Sequence, residues 1–473
     1  MKKLSVTEIV GATKGRLIKG AGEVYVEGIS TDTRILMPNE AFFALIGENF
    51  DGHDMLSNLD STKCKLIVVS KENCVAEHFD AAVILVDDTL RAYQDLARYY
   101  KRIINPITIA ITGSVGKTSL KDMVCHIASK KYSTVATVGN YNNHVGVPKT
   151  IFDIEEDTEV LVLEMGMDHK DEIRRLVEIA EPTIAAITNI GISHRENFDS
   201  DDGIFNAKME IASLFGSKNY LVINGDDEKL IKLKKTGDIT YSIVSVGTTG
   251  VCDYVVSKTR YSENGNLEFS VLNKDEKVKY SIPVAGSYSG ITAGMATALL
   301  SILGIEMAFS AEALADIKRT PHRLQLIKMD EMTIIDDVYN ASPDSMKSAL
   351  EYLIQIPGGR KIAVLAGMNE LGDDSASLHR QTGAAAVELG VDILINVGSK
   401  ARDISEGAVR ALSKTKKNAN GGNETKVLSF RNNSDASAYL NLHKEKDDIY
   451  LVKGSRGMKM EEIVNALSGE IND

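Results

Sequence analysis

The sequence predicts an α/β protein of three domains, and three observations predict it. The chain has 473 residues, more than one hydrophobic core accommodates, and that length divides into about three domains. Short apolar runs alternate with amphipathic stretches through the middle of the chain and again through its last third, the texture of two parallel sheets. Early in the second domain, Ile109-Ala110-Ile111-Thr112 runs into a turn holding Gly113 and Gly116. Lys117-Thr118-Ser119 then opens a helix expected over Leu120 to Lys131.

Composition fits a soluble globular protein, with 43% hydrophobic and 25% charged residues. The net charge of −12 argues against non-specific nucleic-acid binding, which needs a basic surface, but leaves room for anionic ligands held by a few local cations. Cys64, Cys74, Cys125 and Cys252 show no CxxC spacing and are expected reduced, as in the cytoplasm. The start lacks a long apolar segment and no run is long enough to span a bilayer, so neither a signal peptide nor membrane insertion is expected.

The first unit, expected over residues 1–104, opens with Ser5 and Glu8 at capping-box spacing. Strand-like runs follow at Ala41–Ile46, Lys65–Val69 and Ala82–Val86. The polar segments between them, Ser30-Thr31-Asp32-Thr33-Arg34 and Gly47 to His53, suit either an anionic ligand or ordinary turn chemistry. An amphipathic helix over Thr89–Ile103 leads to Asn105-Pro106, a domain boundary signal.

The second unit, expected over 105–318, carries the glycine turn. Two glycines let the backbone turn tightly and aim N–H groups at an anion, and the following helix adds the positive end of its dipole. Gly113, Ser114, Val115, Gly116, Lys117, Thr118 and Ser119 are therefore the candidate phosphate contacts. Lys117 serves as a point charge for β- and γ-phosphates, and the Thr118 hydroxyl as a Mg²⁺ ligand. The common pattern wants glycine where the chain has Ile111, so the competing reading is a glycine turn that precedes a lysine by chance. The coincidence of strand, turn and helix favours phosphate binding.

Next come a strand at Thr134–Val138, the loop Gly139-Asn140-Tyr141-Asn142-Asn143 and the strand Val160–Leu163, ending at Glu164. A carboxylate at that strand end, beside a phosphate loop, is where a Mg²⁺ ligand belongs. Ile184–Ile187 delivers Thr188 to His194 to the same edge, which raises His194 above the structural role of most lone histidines. Ala207-Lys208-Met209-Glu210 is expected to begin a helix with Lys208 as a solvated lysine. Leu221–Asn224 is a further strand. Tyr254–Lys258, Leu267–Leu272 and Val278–Ile282 read as a β-ribbon without obvious chemistry, and Ile291–Leu303 as a small-residue helix.

The third unit, expected over 319–473, starts near Pro321-His322-Arg323. Strands at Thr333–Ile335, Lys361–Leu365, Asp392–Val397 and Asp448–Val452 deliver polar segments, among them Asp336 to Pro343 and Lys453 to Gly457. Lys414–Lys426 reads as a surface loop.

Taken in order, Thr112 to Thr118, Gly139 to Asn143, Glu164-Met165-Gly166, His194, Ala207-Lys208, Arg323 and Asp337 to Asn340 resemble the Mur ligases of peptidoglycan synthesis over nearly the whole chain. The family's own loop form accounts for Ile111. The resemblance implies a uridine-nucleotide domain, a central ATP domain and a Rossmann-like C-terminal domain. Ser30–Arg34, Phe42 to Leu45, Glu48–His53, Tyr339 to Pro343, Glu370-Leu371-Gly372 and Val452–Arg456 look most like the member that joins D-alanyl-D-alanine to UDP-N-acetylmuramoyl-tripeptide. A third-residue or folate-polyglutamylating ligase and a P-loop switch are the competing readings.

By that resemblance Lys117, His194, Lys208 and Arg323 are catalytic, with ATP and two Mg²⁺ as cofactors. Thr118 and Glu164 would hold one ion, and His194 with a carbamylated Lys208 the other. Asn142 and Asn143 would lie near phosphates or tripeptide, Asp337 would reach the ribose, and Asn340, Ser455 and Arg456 would face the dipeptide or the reacting centre. Ser30 to Arg34 would face the uridine diphosphate. A cytoplasmic monomer is expected. Two departures stand out. The family's Gly-x-His-Asn near the adenine is here Gly286-Ser287-Tyr288-Ser289, so position 289 carries serine rather than asparagine. The usual Pro-Gly-Arg is Pro321-His322-Arg323.

Overall fold

The computed structural model describes residues 1–59, 62–72, 74, 80–191, 198, 200–235, 239–262, 266–274, 276–284, 286, 288–318, 321–369, 371–415 and 425–469. Three main sheets organise them, each built largely from parallel strands.

The first sheet holds five strands in the order Arg16–Lys19, Ala82–Leu85, Cys64–Val69, Glu40–Phe43 and Gly28–Ser30, all parallel except the first pair. Ser5 and Glu8 do form the capping box, which starts the helix Val6–Thr13. The helix Thr89–Ile104 follows the sheet, capped by Asp88 and closed by Asn105 in the left-handed region. Its Tyr93 packs on Phe43 of the first sheet and on Phe152 of the second unit, with ring centroids 5.5 and 5.2 Å apart. Tyr100 reaches Phe152 at 6.1 Å and donates from its hydroxyl to Ile154 O. One continuous hydrophobic cluster therefore runs from the first sheet into the second unit, with this helix as the shared wall.

The second sheet holds ten strands. Ile107–Thr112 lies between Val160–Glu164 and Ile184–Ile187, parallel to both. Thr134–Ala136 extends one side, and Tyr220–Asn224 and Ser242–Gly247 the other. The chain leaves Ile107–Thr112 toward one edge and returns to fill the other. The loop after Ile107–Thr112 thus sits at the point where strand order reverses, the usual crevice for ligands in such sheets. The sequence Ile-Thr-Ile-Ala-Ile-Thr suits a strand covered on both faces, and all but Ile107 are buried. Beyond Ser242–Gly247 the expected ribbon continues the sheet, with Leu267–Asn273 pairing antiparallel to Tyr254–Val256, Arg260–Tyr261 and Glu276–Ile282.

The third sheet runs Gln325–Lys328, Met332–Asp337, Asp448–Lys453, Lys361–Ala366, Ile393–Val397 and Lys426–Phe430. The last strand to form in sequence is inserted between the second and third, so Asp337 and Lys453 become register partners.

Two expectations need correction, and one strand lies where none was expected. The helix carrying Lys208 is Asp201–Met209, capped by Ser200, so Lys208 lies in its last turn rather than its first. Ser242–Gly247 is a strand, though its serines and glycine gave only a weak apolar run. Lys426 opens a strand rather than ending a loop. No helix among the described residues is long and apolar enough to cross a membrane.

Candidate active site

The segments that follow the strands of the second and third sheets converge on one cleft of about 890 Å³. Ser114 to Ser119, Asn142, Glu164 and Lys208 line it from the second unit, and Arg323, Asp337, Asn340 and Lys453 from the third.

The loop is shaped by contacts that only glycine admits. Gly113 has φ 146°, and a Cβ there would collide with the Thr188 hydroxyl. Gly116 has φ 85° and caps the helix Lys117–Ala128, whose first N–H groups have no intrahelical acceptor and face the cleft side. Behind the loop, Asn189 Oδ1 accepts from Ser114 N at 3.1 Å and Val115 N at 2.8 Å. Gly191 N donates to Ser114 Oγ, and the Thr188 hydroxyl to Val115 O. Asn189 was not singled out by the sequence. Its position directly after a strand at the loop's edge was the available signal.

Lys117 folds over its own loop, donating to Gly113 O at 2.8 Å. Glu164, only 3% exposed, accepts from Asn142 Nδ2 at 3.0 Å through Oε1, while its Oε2 is buried with no hydrogen-bond partner among the described residues. A buried carboxylate oxygen without a donor is costly unless a cation meets it. Lys208 is 2% exposed, which overturns the solvated reading. Burial, reinforced by the charge of Lys117, holds its amine well below the ordinary lysine range. Glu210, two residues on, caps a neighbouring helix instead, accepting from Asp171 N and Arg174 N.

From the third unit, Arg323 crosses to the second and donates to Thr118 Oγ1 at 3.1 Å, its guanidinium lying 4.2 Å from the centre of the Tyr339 ring. Its Nε is buried without a hydrogen-bond partner among the described residues. Asp337 pairs with the buried Lys453 at 2.6 Å, and Lys453 also donates to Asn340 O at 2.9 Å. Tyr288 and Ser289 line the cleft. So Lys117, Lys208 and Arg323 line the same cleft as Glu164, whose Oε2 lacks a hydrogen-bond partner among the described residues. Such an arrangement suits a polyphosphate with its counter-cation.

Other expected residues play different parts. Asn143 Oδ1 accepts from Val145 N and Gly146 N, starting the helix Gly146–Phe152. Ser455 Oγ accepts from Asn369 N, supporting a loop of the third sheet. Asp51 accepts from His53 N and from Lys71, and His53 Nε2 from Ser70 N, so in that segment turn chemistry is visible. Asp32 is chelated by Arg34, whose bonds hold its carboxyl at about 2. His194, Ser287 and Glu370 lie outside the described residues.

A model of the Mur ligase middle domain matches residues 111–300, and a model of the Mur ligase glutamate ligase domain matches 322–456. The UDP-N-acetylmuramoyl-tripeptide–D-alanyl-D-alanine ligase of Bacillus subtilis (strain 168) is 36% identical over 472 residues, covering 99% of each chain. MurF from Acinetobacter baumannii has a similar structure, with TM-score 0.89 and 27% identity over 99% of both chains. The MurF ligase of Thermotoga maritima, solved in complex with ADP, shares the fold at TM-score 0.82 and 24% identity, covering 94% of this chain and 98% of that one.

Proposed function

The chain belongs to the Mur ligase family, and from that premise we propose that it joins D-alanyl-D-alanine to UDP-N-acetylmuramoyl-tripeptide in an ATP-driven step of peptidoglycan precursor synthesis. The observation that carries this reading is similarity to a ligase of that name across 99% of both chains. The cleft supplies the chemistry such a ligase needs.

A carboxylate resists attack by an amine because it would have to expel oxide or hydroxide. In this reading a terminal carboxylate oxygen of the tripeptide attacks the γ-phosphorus of ATP, ADP departs, and an acyl phosphate results. The free amine of D-alanyl-D-alanine adds to the acyl carbon, loses a proton, and the tetrahedral intermediate expels inorganic phosphate. The protein's work is orientation and charge neutralisation. Lys117 and the N–H groups at the start of Lys117–Ala128 hold the β- and γ-phosphates, and Arg323 meets the transferring group from the opposite domain. Segments of three domains then bracket the three substrates, with 1–104 taking the uridine nucleotide, 105–318 ATP and 319–473 the dipeptide.

Magnesium, when bound, would neutralise phosphate oxygens and polarise the γ-phosphorus. Thr118 Oγ1 and Glu164 would hold one ion, and the orphaned Glu164 Oε2 fits that role. A second ion would need further ligands. A carbamate on Lys208 would provide one, with His194 assigned from the sequence alone. The suppressed basicity of Lys208 supports this, because only a neutral amine adds CO₂. We place the reaction in the cytoplasm, catalysed by the monomer.

The test is phosphate release measured with ATP, UDP-N-acetylmuramoyl-tripeptide and D-alanyl-D-alanine, each omitted in turn. The reading expects release only with all three present. Turnover without dipeptide, or turnover requiring glutamate or a single diamino acid instead, would replace it with a switch or a sibling ligase.

A further inference from the structure

Arg323 sits between two residues that both adopt left-handed backbone, His322 at φ 60° and Leu324 at φ 46°. Neither is glycine, so each conformation needs support from its surroundings. The support comes from two consecutive aspartates of the strand Met332–Asp337. His322 Nδ1 donates to Asp336 Oδ2 at 2.8 Å, and Leu324 N donates to Asp337 Oδ1 at 3.2 Å. Successive strand residues project to opposite faces, so the aspartates grip the two flanks of the arginine from different sides. Asp337 is anchored in turn by Lys453. Asp336 is 2% exposed, and Val338 N donates to its other oxygen. The His322 backbone completes the turn, its N–H donating to Gln325 Oε1 at 3.1 Å and its carbonyl accepting from Tyr339 N at 3.2 Å. That last bond places Tyr339 beneath the Arg323 guanidinium.

We propose that His322 is a positioning residue for the ligase reaction: clamped to the buried Asp336, it fixes the left-handed turn that aims Arg323 across the domain boundary at Thr118. The inference rests on the reading of Arg323 as a contact to the transferring phosphate. A glycine, usual in the family at this position, would adopt φ 60° without strain but could not make the bond to Asp336. The imidazole supplies the direction by its bond to Asp336.

The experiment uses the full-length enzyme and compares His322→Gly, His322→Asn, Asp336→Asn, the double variant His322→Gly/Asp336→Asn, and Arg323→Ala. Steady-state kinetics separate kcat from the KM of each substrate, and amide exchange at Tyr339 follows the turn directly. Arg323→Ala should lose about 10²–10³-fold in kcat. His322→Gly and Asp336→Asn should each lose about tenfold in kcat, with the KM for tripeptide and dipeptide unchanged and Tyr339 exchange accelerated. The double variant should be no worse than His322→Gly, because both substitutions act on the same bond. His322→Asn, which tolerates left-handed backbone and can still donate to Asp336, should recover part of the loss. His322→Gly at full activity beside an impaired Arg323→Ala would overturn the clamp alone. An unimpaired Arg323→Ala would overturn the role of Arg323 and the clamp with it. Because His322 is partly exposed, its variants remain informative even where the buried Asp336→Asn folds poorly.

Discussion

Lys208 owes its place in the cleft to burial that no charge pattern in the sequence announces. Burial and the charge of Lys117 hold its amine well below the ordinary lysine range, and the carbamate proposed for it is open to a direct test. Lys208→Ala is expected to lose activity and regain part of it with added short carboxylates; a mutant as active as the parent would return Lys208 to a packing role. Asn189 offers a second test. Removing two hydrogen bonds to the loop should weaken ATP use by about 1–3 kcal/mol, roughly tenfold or more in the KM for ATP. Asn189→Asp should be worse than Asn189→Ala, since it adds a negative charge behind a phosphate loop. The reverse order would mean that Asn189 only fills space. Loop residues Gly113 to Ser119 were legible because strand, glycine turn and helix are consecutive in sequence. Asn189, Lys453 and the His322–Asp336 pair were not, because each acts through a partner 14 to 116 residues away.

At the scale of elements, the helix Thr89–Ile104 decides how the first two units relate. Its amphipathic pattern made it readable, but the identity of its partner did not follow from the pattern. Tyr93 and Tyr100 face Phe152, so the helix belongs to a core that the two units share. Phe152→Ala should lower stability by about 3–5 kcal/mol, seen as a reduced denaturant midpoint for both units together. An unchanged midpoint, or release of an intact N-terminal unit by proteolysis, would show the shared core to be unimportant. The same junction carries Glu181, gripped by Arg98 and Arg102 from the helix. Burial pushes its carboxyl up, but the two guanidinium groups prevail and hold it at about 2, against an ordinary 4.5. A depressed carboxyl stabilises the fold above its unfolded value, and that contribution is lost as pH falls toward about 2. The Tm deficit of Glu181→Gln should therefore be largest near neutral pH and shrink through that acid window. A deficit independent of pH would assign the effect to packing. The helix of Lys208 shows the limit of local reading, since its start at Ser200 follows a stretch with little apolar periodicity.

At the scale of the molecule, two sheets present the ends of their strands to one another across a cleft, and the third unit reaches the second through Arg323. Closure of the third unit on substrates is expected from this division, because the shared core ties the first unit to the second. Small-angle scattering should show a smaller radius with a non-hydrolysable ATP analogue, tripeptide and dipeptide together, and an unchanged profile would speak against it. The alternation of strands and helices made the sheets themselves legible. The insertion of Asp448–Lys453 between Met332–Asp337 and Lys361–Ala366, which builds the Asp337–Lys453 pair, is a long-range choice that alternation leaves open. In the proposed reaction a carboxylate oxygen of the tripeptide reaches the γ-phosphorus. That oxygen is the most direct witness to the reaction. With the terminal carboxylate of the tripeptide labelled with ¹⁸O, turnover should deliver one labelled oxygen into each inorganic phosphate released; phosphate free of label would contradict an acyl phosphate and the mechanism built on it.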